Sequence, residues 1–259
     1  MDKGTFKRLL PLVLVLMWVA AVTTGCAWWK DLWESKKMAR GNAEALYAAG
    51  VEAYKDGRYK RAVEHFTRVK ELYPLHPLAP MAEIGIGDAH FSNEDYAEAE
   101  MAYTEFANLH PSHEDIPYVL YQIGMCHYHQ MLSIDRDQTE TMRAAKEFER
   151  VIARYPTSKF AFLAEKRLKE CRQRLAESEF YVGEFYFKRG DYKAALRRFE
   201  YLAKNYPNVG LDYKTSIYLK ESKERLAREE ERKAEKERRE KEKKAREEAS
   251  KKAKESAAK

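Results

Sequence analysis

The residues most able to do chemistry in this 259-residue sequence are one thiol and two imidazoles close together in the chain. Cys126, His127 and His129 fall within four positions, and thiolate and imidazole are the ligands that zinc prefers. On a helix, positions i, i+1 and i+3 do not converge on one tetrahedral ion without a remote fourth ligand. We therefore predict packing and polar-face roles for these side chains, with no metal site and no cofactor.

Other sequence signatures of catalysis are missing. The sequence contains no phosphate-binding glycine loop, no nucleophile elbow and no clustered pair of carboxylates. His110 and His113 lie in a turn around Pro111, where caps and backbone hydrogen bonds account for them. We predict that the chain has no catalytic residue and is not an enzyme.

A third cysteine ends a segment with the features of a bacterial export signal. Basic residues precede a 14-residue apolar run at residues 9–22, which is shorter than the roughly 20 residues that span a bilayer. Gly25 and Cys26 then resemble a lipobox, in which the cysteine is lipidated, although Thr23 stands where an aliphatic residue is usual. Ala27 after the cysteine favours sorting to the outer membrane. The alternatives are an ordinary signal peptide with an incidental cysteine, or an uncleaved anchor.

The segment after this cysteine is rich in tryptophan. Trp28, Trp29 and Trp33 would suit a short amphipathic helix at a membrane surface. They would equally suit a linker that packs on the first repeat. The predicted domains are a signal peptide at 1–25, a lipid-anchored linker at 26–41, a repeat domain at 42–227 and a charged tail at 228–259.

The elements that must position any site follow a repeated spacing. From Gly183, an aromatic follows at +4, Tyr at +9, Ala at +12, an aromatic at +16 and Pro at +24. The same offsets hold from Gly50 and Gly87, and from Gly124 all but the Tyr at +9 hold when eight inserted residues are allowed before +12. This spacing resembles the tetratricopeptide repeat, with a period of 37 residues between the first three glycines where that family has 34. We predict an all-α solenoid of helical hairpins with one long helix.

Two interruptions distinguish the later repeats. An insertion around residues 131–140 forms a long loop between helices, and such loops tend to carry function. Between Pro156 and Gly183 there are 27 residues where earlier repeats have 13, and neither Pro nor Gly occurs in residues 158–181. This surplus predicts one helix from about residue 158 to residue 188, capped by Ser158.

In the earlier repeats the glycine follows the proline by 13 residues, and 13 residues after Pro156 comes Lys169. We call Lys169 the virtual repeat origin, because it stands where the repeated glycine would be without the extra length. Cys171 is then in the register that Cys126 has in the preceding repeat. Equivalent positions on neighbouring helices, about 8–10 Å apart, would make a disulfide possible but strained.

The C-terminal segment carries much of the charge. Residues 221–259 contain 16 Lys and Arg and 12 Glu, and the whole chain has a formal net charge of +6. We predict a capping helix at residues 211–227. Beyond it, Glu with Lys or Arg at i, i+4 and no apolar heptad favour a solvated helix or a disordered tail. Contact with peptidoglycan, lipid headgroups or an acidic partner remains open, and no nucleic-acid partner is expected.

A groove is the best candidate for binding. If the array resembles other tetratricopeptide repeats, the +4 residues Tyr54, Phe91 and Tyr128 point into the concave face. There they would form an aromatic row suited to an extended peptide with apolar side chains. The alternative is that these residues are core and that the +3 residues Ala53, His90 and His127 face the groove.

Longer stretches show a more specific resemblance. HPSHEDIPYVLYQIG at 110–124, DRD at 135–137, YPTS at 155–158 and AEKRL…RLAESEFYVGEFYFKRG at 164–190 are similar to the BamD (YfiO) family of the β-barrel assembly machinery. The resemblance covers about residues 42–210. The charged tail departs from the better-known members, so nothing is transferred to it.

This resemblance implies a lipid-anchored protein on the periplasmic face of the outer membrane. Its partners would be a BamA-like barrel protein with POTRA domains, other lipoproteins of the machinery, and unfolded outer-membrane proteins. Basic positions that the family uses toward its partner match Arg189 and Arg198, and the inserted loop adds Asp135, Arg136 and Asp137.

Tyr73 matches an aromatic that the family has near the end proposed to bind substrate.

The alternative functions are a periplasmic repeat adaptor that works with the Tol–Pal system in cell division, and a lipoprotein that contacts peptidoglycan through the basic tail. The first alternative predicts an N-terminal coiled coil without a lipid anchor. The sequence has instead a candidate lipidation site and no coiled-coil pattern at its N-terminus.

Overall fold

The chain is described by a computed structural model for residues 42–257, with only the backbone described for 251–257. Within these residues the secondary structure is helical, and no strand occurs. The prediction of an all-α fold of tetratricopeptide-like hairpins with one long helix is confirmed. The helices are α1 (Ala43–Lys55), α2 (Tyr59–Leu72), α3 (Ala79–Ser92), α4 (Tyr96–Leu109), α5 (Ile116–His129), α6 (Thr139–Arg154), α7 (Lys159–Arg189), α8 (Tyr192–Asn205) and α9 (Asp212–Ala257).

The helices belong to two compact units. The first ends at Val119 and the second begins at Leu120, so the division falls within α5. In the first unit, α1 packs on α2, α2 on α3, and α3 on α4. In the second unit, α6 packs on α7, α7 on α8, and α8 on α9. No helix among residues 42–257 combines the length and the apolarity needed to cross a bilayer.

The hairpin turns share one backbone geometry. Gly57 has φ +73° and Gly190 has φ +86°, the left-handed region in which glycine carries no steric penalty. In each case the next amide donates back to the helix, from Arg58 to the carbonyl of Ala53 at 2.8 Å in the first hairpin. Glu94 adopts φ +64° in the second hairpin, so this turn keeps its geometry without glycine.

The repeated glycine accommodates a ring from the second helix of its own hairpin. A Cβ atom at Gly87 would lie 2.5 Å from the nearest ring atom of Tyr103, and one at Gly183 would lie 2.8 Å from Phe199. The ring at +16 lies on the glycine, and a methyl group there would overlap it. The same contacts join Gly50 to Phe66 and Gly124 to Phe148.

The long helix and the last helix complete the fold. Ser158 caps α7, since its hydroxyl accepts from the amide of Phe160 at 3.2 Å. That helix runs for 31 residues to Arg189, close to the predicted bounds. The predicted cap at 211–227 and the charged tail form one continuous helix, α9, of 46 residues. The tail is therefore helical as far as Ala257.

The ring-on-glycine contact predicts the sign of one substitution. Gly183→Ala should destabilise the protein by about 1–3 kcal/mol, because overpacking displaces Phe199. Helix propensity alone predicts a stabilisation of about 1 kcal/mol. Urea unfolding followed by circular dichroism measures the change. Lys188→Ala, on the exposed face of the same helix, is the matched control. A gain in stability for Gly183→Ala would show that the ring is free to move.

Candidate partner-binding site

Arg189 ends the long helix with its side chain in solvent. The following residue, Gly190, turns the chain, and Asp191 caps α8 by accepting from the amide of Ala194 at 3.0 Å. Arg189 is exposed, and its guanidinium makes no ion pair within the described residues. A free guanidinium on a rigid turn can pair bidentately with a carboxylate of another protein.

Arg198 has a partner within its own chain. Its Nη1 atom donates to the two carboxylate oxygens of Glu179, at 3.0 and 3.3 Å. The side chain of Arg198 is 45% exposed and that of Glu179 is 23% exposed. A surface pair of this kind contributes about 0–1 kcal/mol, so a partner carboxylate can replace Glu179 at little cost. Arg198 also lies at a shallow cleft of about 410 Å³, lined by Tyr186, Ala194, Arg197, Arg198 and Tyr201.

The carboxylates of the inserted loop accept hydrogen bonds from neighbouring residues and so stabilise the loop. Asp135 accepts from the Ser133 hydroxyl, and Asp137 accepts from the amide of Thr139 at 2.9 Å. These hydrogen bonds lower the pKa of Asp135 and of Asp137. Arg136 is exposed between them and makes no ion pair among residues 42–257. Of the three predicted loop residues, Arg136 is the one whose charged group is available to a partner.

The groove aromatics of the first unit are half-buried. The Tyr54 hydroxyl lies 2.7 Å from that of Ser92, and Phe91 packs edge-on against Tyr96 with centroids 5.4 Å apart. Tyr73 packs against the core of the same unit. Ala53, the +3 residue of the first repeat, is 2% exposed. In this repeat the +4 ring, and not the +3 side chain, has the partly exposed surface.

Tyr128, in the second unit, is held by an ion pair. Its hydroxyl donates to Glu170 at 2.6 Å, and the Arg167 guanidinium lies 4.9 Å from the ring centroid. Burial and the hydrogen bond to Glu170 raise the pKa of Tyr128. The neighbouring His127 is 4% exposed, and its Nδ1 lies 2.7 Å from a carboxylate oxygen of Glu140. The hydroxyl of Tyr128 is therefore occupied, and the Arg167 guanidinium lies over its ring.

The thiols of the second unit are buried. No disulfide joins Cys126 to Cys171. The Cys171 sulfur lies 3.8 Å from that of Met131, and burial raises the pKa of Cys171 to about 12. A thiol with such a pKa is not a nucleophile at neutral pH. Over residues 42–257, no group of three or more His, Cys, Asp or Glu is arranged to hold a metal ion.

A half-buried carboxylate in the first unit was not singled out by the sequence analysis. One oxygen of Asp88 accepts from the hydroxyls of Tyr103 and Tyr118, each at 2.6 Å. Burial raises the pKa of Asp88. The available signal was the tyrosine at +16, where the first repeat has Phe66. A tyrosine buried at that position needs an acceptor for its hydroxyl, and the acidic residue next to Gly87 supplies it.

The predicted lipidation site and the tryptophan segment lie outside the described residues. Cys26, Trp28, Trp29 and Trp33 precede residue 42, so their roles stay predictions.

Comparisons with known proteins give a consistent result. The family model described as "YfiO: Outer membrane lipoprotein" matches residues 39–239. The chain is 30% identical over 199 residues to "Outer membrane protein assembly factor BamD" of Rickettsia prowazekii, covering 77% of this chain and 78% of that protein. It is 29% identical over 174 residues to the protein of the same description from Vibrio cholerae, covering 63% and 72%. Among solved structures, the TPR2AB-domain:pHSP90 complex of yeast Sti1 matches with 18% identity, a TM-score of 0.41, and coverage of 71% and 70%.

The Asp88 network predicts a pH-dependent stability. Burial raises the pKa of Asp88 in the folded state. The stabilisation that protonated Asp88 contributes is therefore complete below its unfolded-state pKa and is lost as pH rises through its folded-state pKa. Asp88→Asn keeps an acceptor for both tyrosines and removes the buried charge. Its Tm relative to the wild type should therefore be higher at pH 7.5 than at pH 4.5. Asp191→Asn, an exposed cap replacement, serves as the control. A relative Tm that rises toward acid pH would contradict this assignment.

Proposed function

Because the chain belongs to the YfiO family of outer membrane lipoproteins, we propose that it is a non-enzymatic scaffold in outer-membrane protein assembly. The observation that carries this proposal is the family match over residues 39–239, which includes every hairpin described above. The relatives from Rickettsia prowazekii and Vibrio cholerae are both described as assembly factors. A scaffold acts by presenting surfaces, and hairpins that each bury one face and expose the other suit that role.

The proposed anchor is a lipid on Cys26, which would hold the hairpins at the periplasmic face of the outer membrane. A diacylated and N-acylated cysteine supplies the two or more hydrocarbon chains that stable anchoring needs. The proposed partners are a BamA-like barrel protein with POTRA domains, other lipoproteins of the machinery, and unfolded outer-membrane proteins. Enzymatic activity is not part of the proposed role.

The barrel partner would contact the second unit through three exposed cations. Arg189 and Arg136 make no ion pair within residues 42–257, and Arg198 is held only by a surface pair with Glu179. Unfolded substrate would contact half-buried rings, with Tyr54, Tyr73 and Phe91 in the first unit and Tyr128 in the second. Each ring is fixed by neighbours, so little side-chain entropy would be lost on binding.

Depletion tests the proposed function. When expression of the chain is shut off, trimeric porins in the outer membrane should decline while their unfolded forms accumulate in the periplasm. Heat-modifiable mobility of porins in gels measures folding, and a plasmid copy of the wild type should restore it. Normal porin assembly after complete depletion would exclude the proposed function.

Charge reversal tests the partner surface. Arg189→Glu should lower co-purification of the barrel protein about tenfold, since a hydrogen bond to a charged group contributes about 1.5–3 kcal/mol. Arg198→Glu should also lower it. Lys146→Glu, an exposed reversal on α6, is the matched control and should leave the yield unchanged. The yield is measured from detergent-solubilised envelopes.

A charge swap separates the two roles of Arg198. Glu179→Arg combined with Arg198→Glu rebuilds the internal pair with opposite polarity. If Arg198 contacts the partner, the swap should stay defective in co-purification. Full recovery would assign Arg198 to the internal pair alone and remove it from the interface.

A further inference from the structure

The long helix α7 provides the first helix of two successive hairpins. Only the later of these two hairpins has a second helix. Helix α7 packs on α6, and its first half contains the buried residues Ala161 and Ala164. Its second half pairs with α8, where Ala176 and Phe180 pack against Phe199. The first half continues directly into the second, so no helix follows it in the place that α2, α4 and α8 occupy in their hairpins.

A cleft lies where that second helix is missing. It has a volume of about 720 Å³ and lies between the middle of α7 and the turn at 207–210. Counted from the virtual repeat origin at Lys169, its α7 residues have offsets −4, −1, 0, +3 and +4. In the hairpin at Gly183, offset 0 is the glycine under the ring of Phe199, and offset +4 is Phe187, which packs on Tyr192 of α8. The cleft is lined by Glu165, Leu168, Lys169, Arg172 and Gln173, and by Pro207, Asn208, Val209 and Gly210.

The side chains of this cleft carry an excess of positive charge over an apolar floor. Lys169 is exposed and has no ion pair within the described chain, and Arg172 makes only a long contact of 3.5 Å to the carbonyl of Asn205. Leu168 and Val209 are half-buried beneath them. One turn before the cleft, Phe162 is 74% exposed on the same face of α7. Glu165 is the one acidic residue among those that line the cleft, and Glu177 accepts from the lining Gln173 at 2.9 Å.

We propose that this cleft binds a short, acidic, amphipathic helix of a partner protein, which takes the place of the missing second helix. The second helices α2, α4 and α8 have 14 residues each, which sets the length of the ligand. Carboxylates on the ligand pair with Lys169 and Arg172, and its apolar face covers Leu168 and Val209. Because Lys169 replaces the glycine of the other hairpins, a ligand ring at this level stacks on a cation. The proposed function does not enter this inference.

The chain itself supplies two matched probes. A 14-residue peptide with the sequence of α4 carries three Glu and no Lys or Arg, whereas one with the sequence of α8 carries four Lys and Arg and one Glu. Both are made with a hydrocarbon staple and a fluorescein label, and their binding to the full chain is measured by anisotropy. The α4 copy should bind at least tenfold more tightly than the α8 copy. A third peptide, the α4 copy without a staple and with Pro at its centre, tests whether the helical form is required.

Variants of the protein locate the binding. The double variant Lys169→Glu with Arg172→Glu should bind the α4 copy at least tenfold more weakly than the wild type. Lys146→Glu with Lys193→Glu makes the same change of charge at exposed positions away from the cleft and should bind as the wild type does. Circular dichroism melts show that both variants fold.

Three results would overturn the proposal. The first is equal binding of the α4 copy by the cleft variant and the control variant. The second is binding of the α8 copy as tight as that of the α4 copy. The third is full binding of the Pro-containing peptide, which would mean that the cleft takes an extended chain.

Discussion

The contact between a ring and a glycine determines the geometry of each hairpin. Where Phe199 lies on Gly183, a Cβ atom would come within 2.8 Å of the ring, so a side chain at this position would displace the ring. Phe66 extends the same contact to the next hairpin, because its ring also faces Gly85 of α3. The regular spacing along the chain follows from this contact, since every repeat must bring its ring to its glycine.

Much of the fold was predictable because it depends on local features. Left-handed turns need glycine, helices end before proline, and a ring needs a small residue beneath it. These rules gave the bounds of the long helix α7 to within a residue or so. The left-handed Glu94 shows their limit, because its turn keeps the shared backbone hydrogen bonds without glycine. The continuity of α9 was not predicted, since a change in composition at residue 227 does not require a break in the helix.

The candidate site was less predictable because pairing between helices depends on distances that the sequence does not contain. Arg189 and Arg198 were both predicted to face a partner, yet within residues 42–257 only Arg198 has an ion pair, with Glu179. The two carboxylates of the inserted loop are likewise used to hold the loop. The virtual origin at Lys169 follows from spacing alone, whereas the cleft at those offsets depends on how α7 and the turn at 207–210 lie in space.

The continuous last helix gives the charged tail a fixed pitch. From residue 230 to residue 250 every side chain is exposed, and pairs such as Glu229 with Lys233 and Glu235 with Arg239 support the helix without tertiary contacts. In such a rod each residue adds about 1.5 Å of length and about 100° of rotation. Evolutionary insertions or deletions here would therefore change both the reach and the angular phase of the tip. The reach and direction of the helix tip therefore change in steps of one residue. The number of residues in the tail, more than their composition, sets where the tip can meet another molecule.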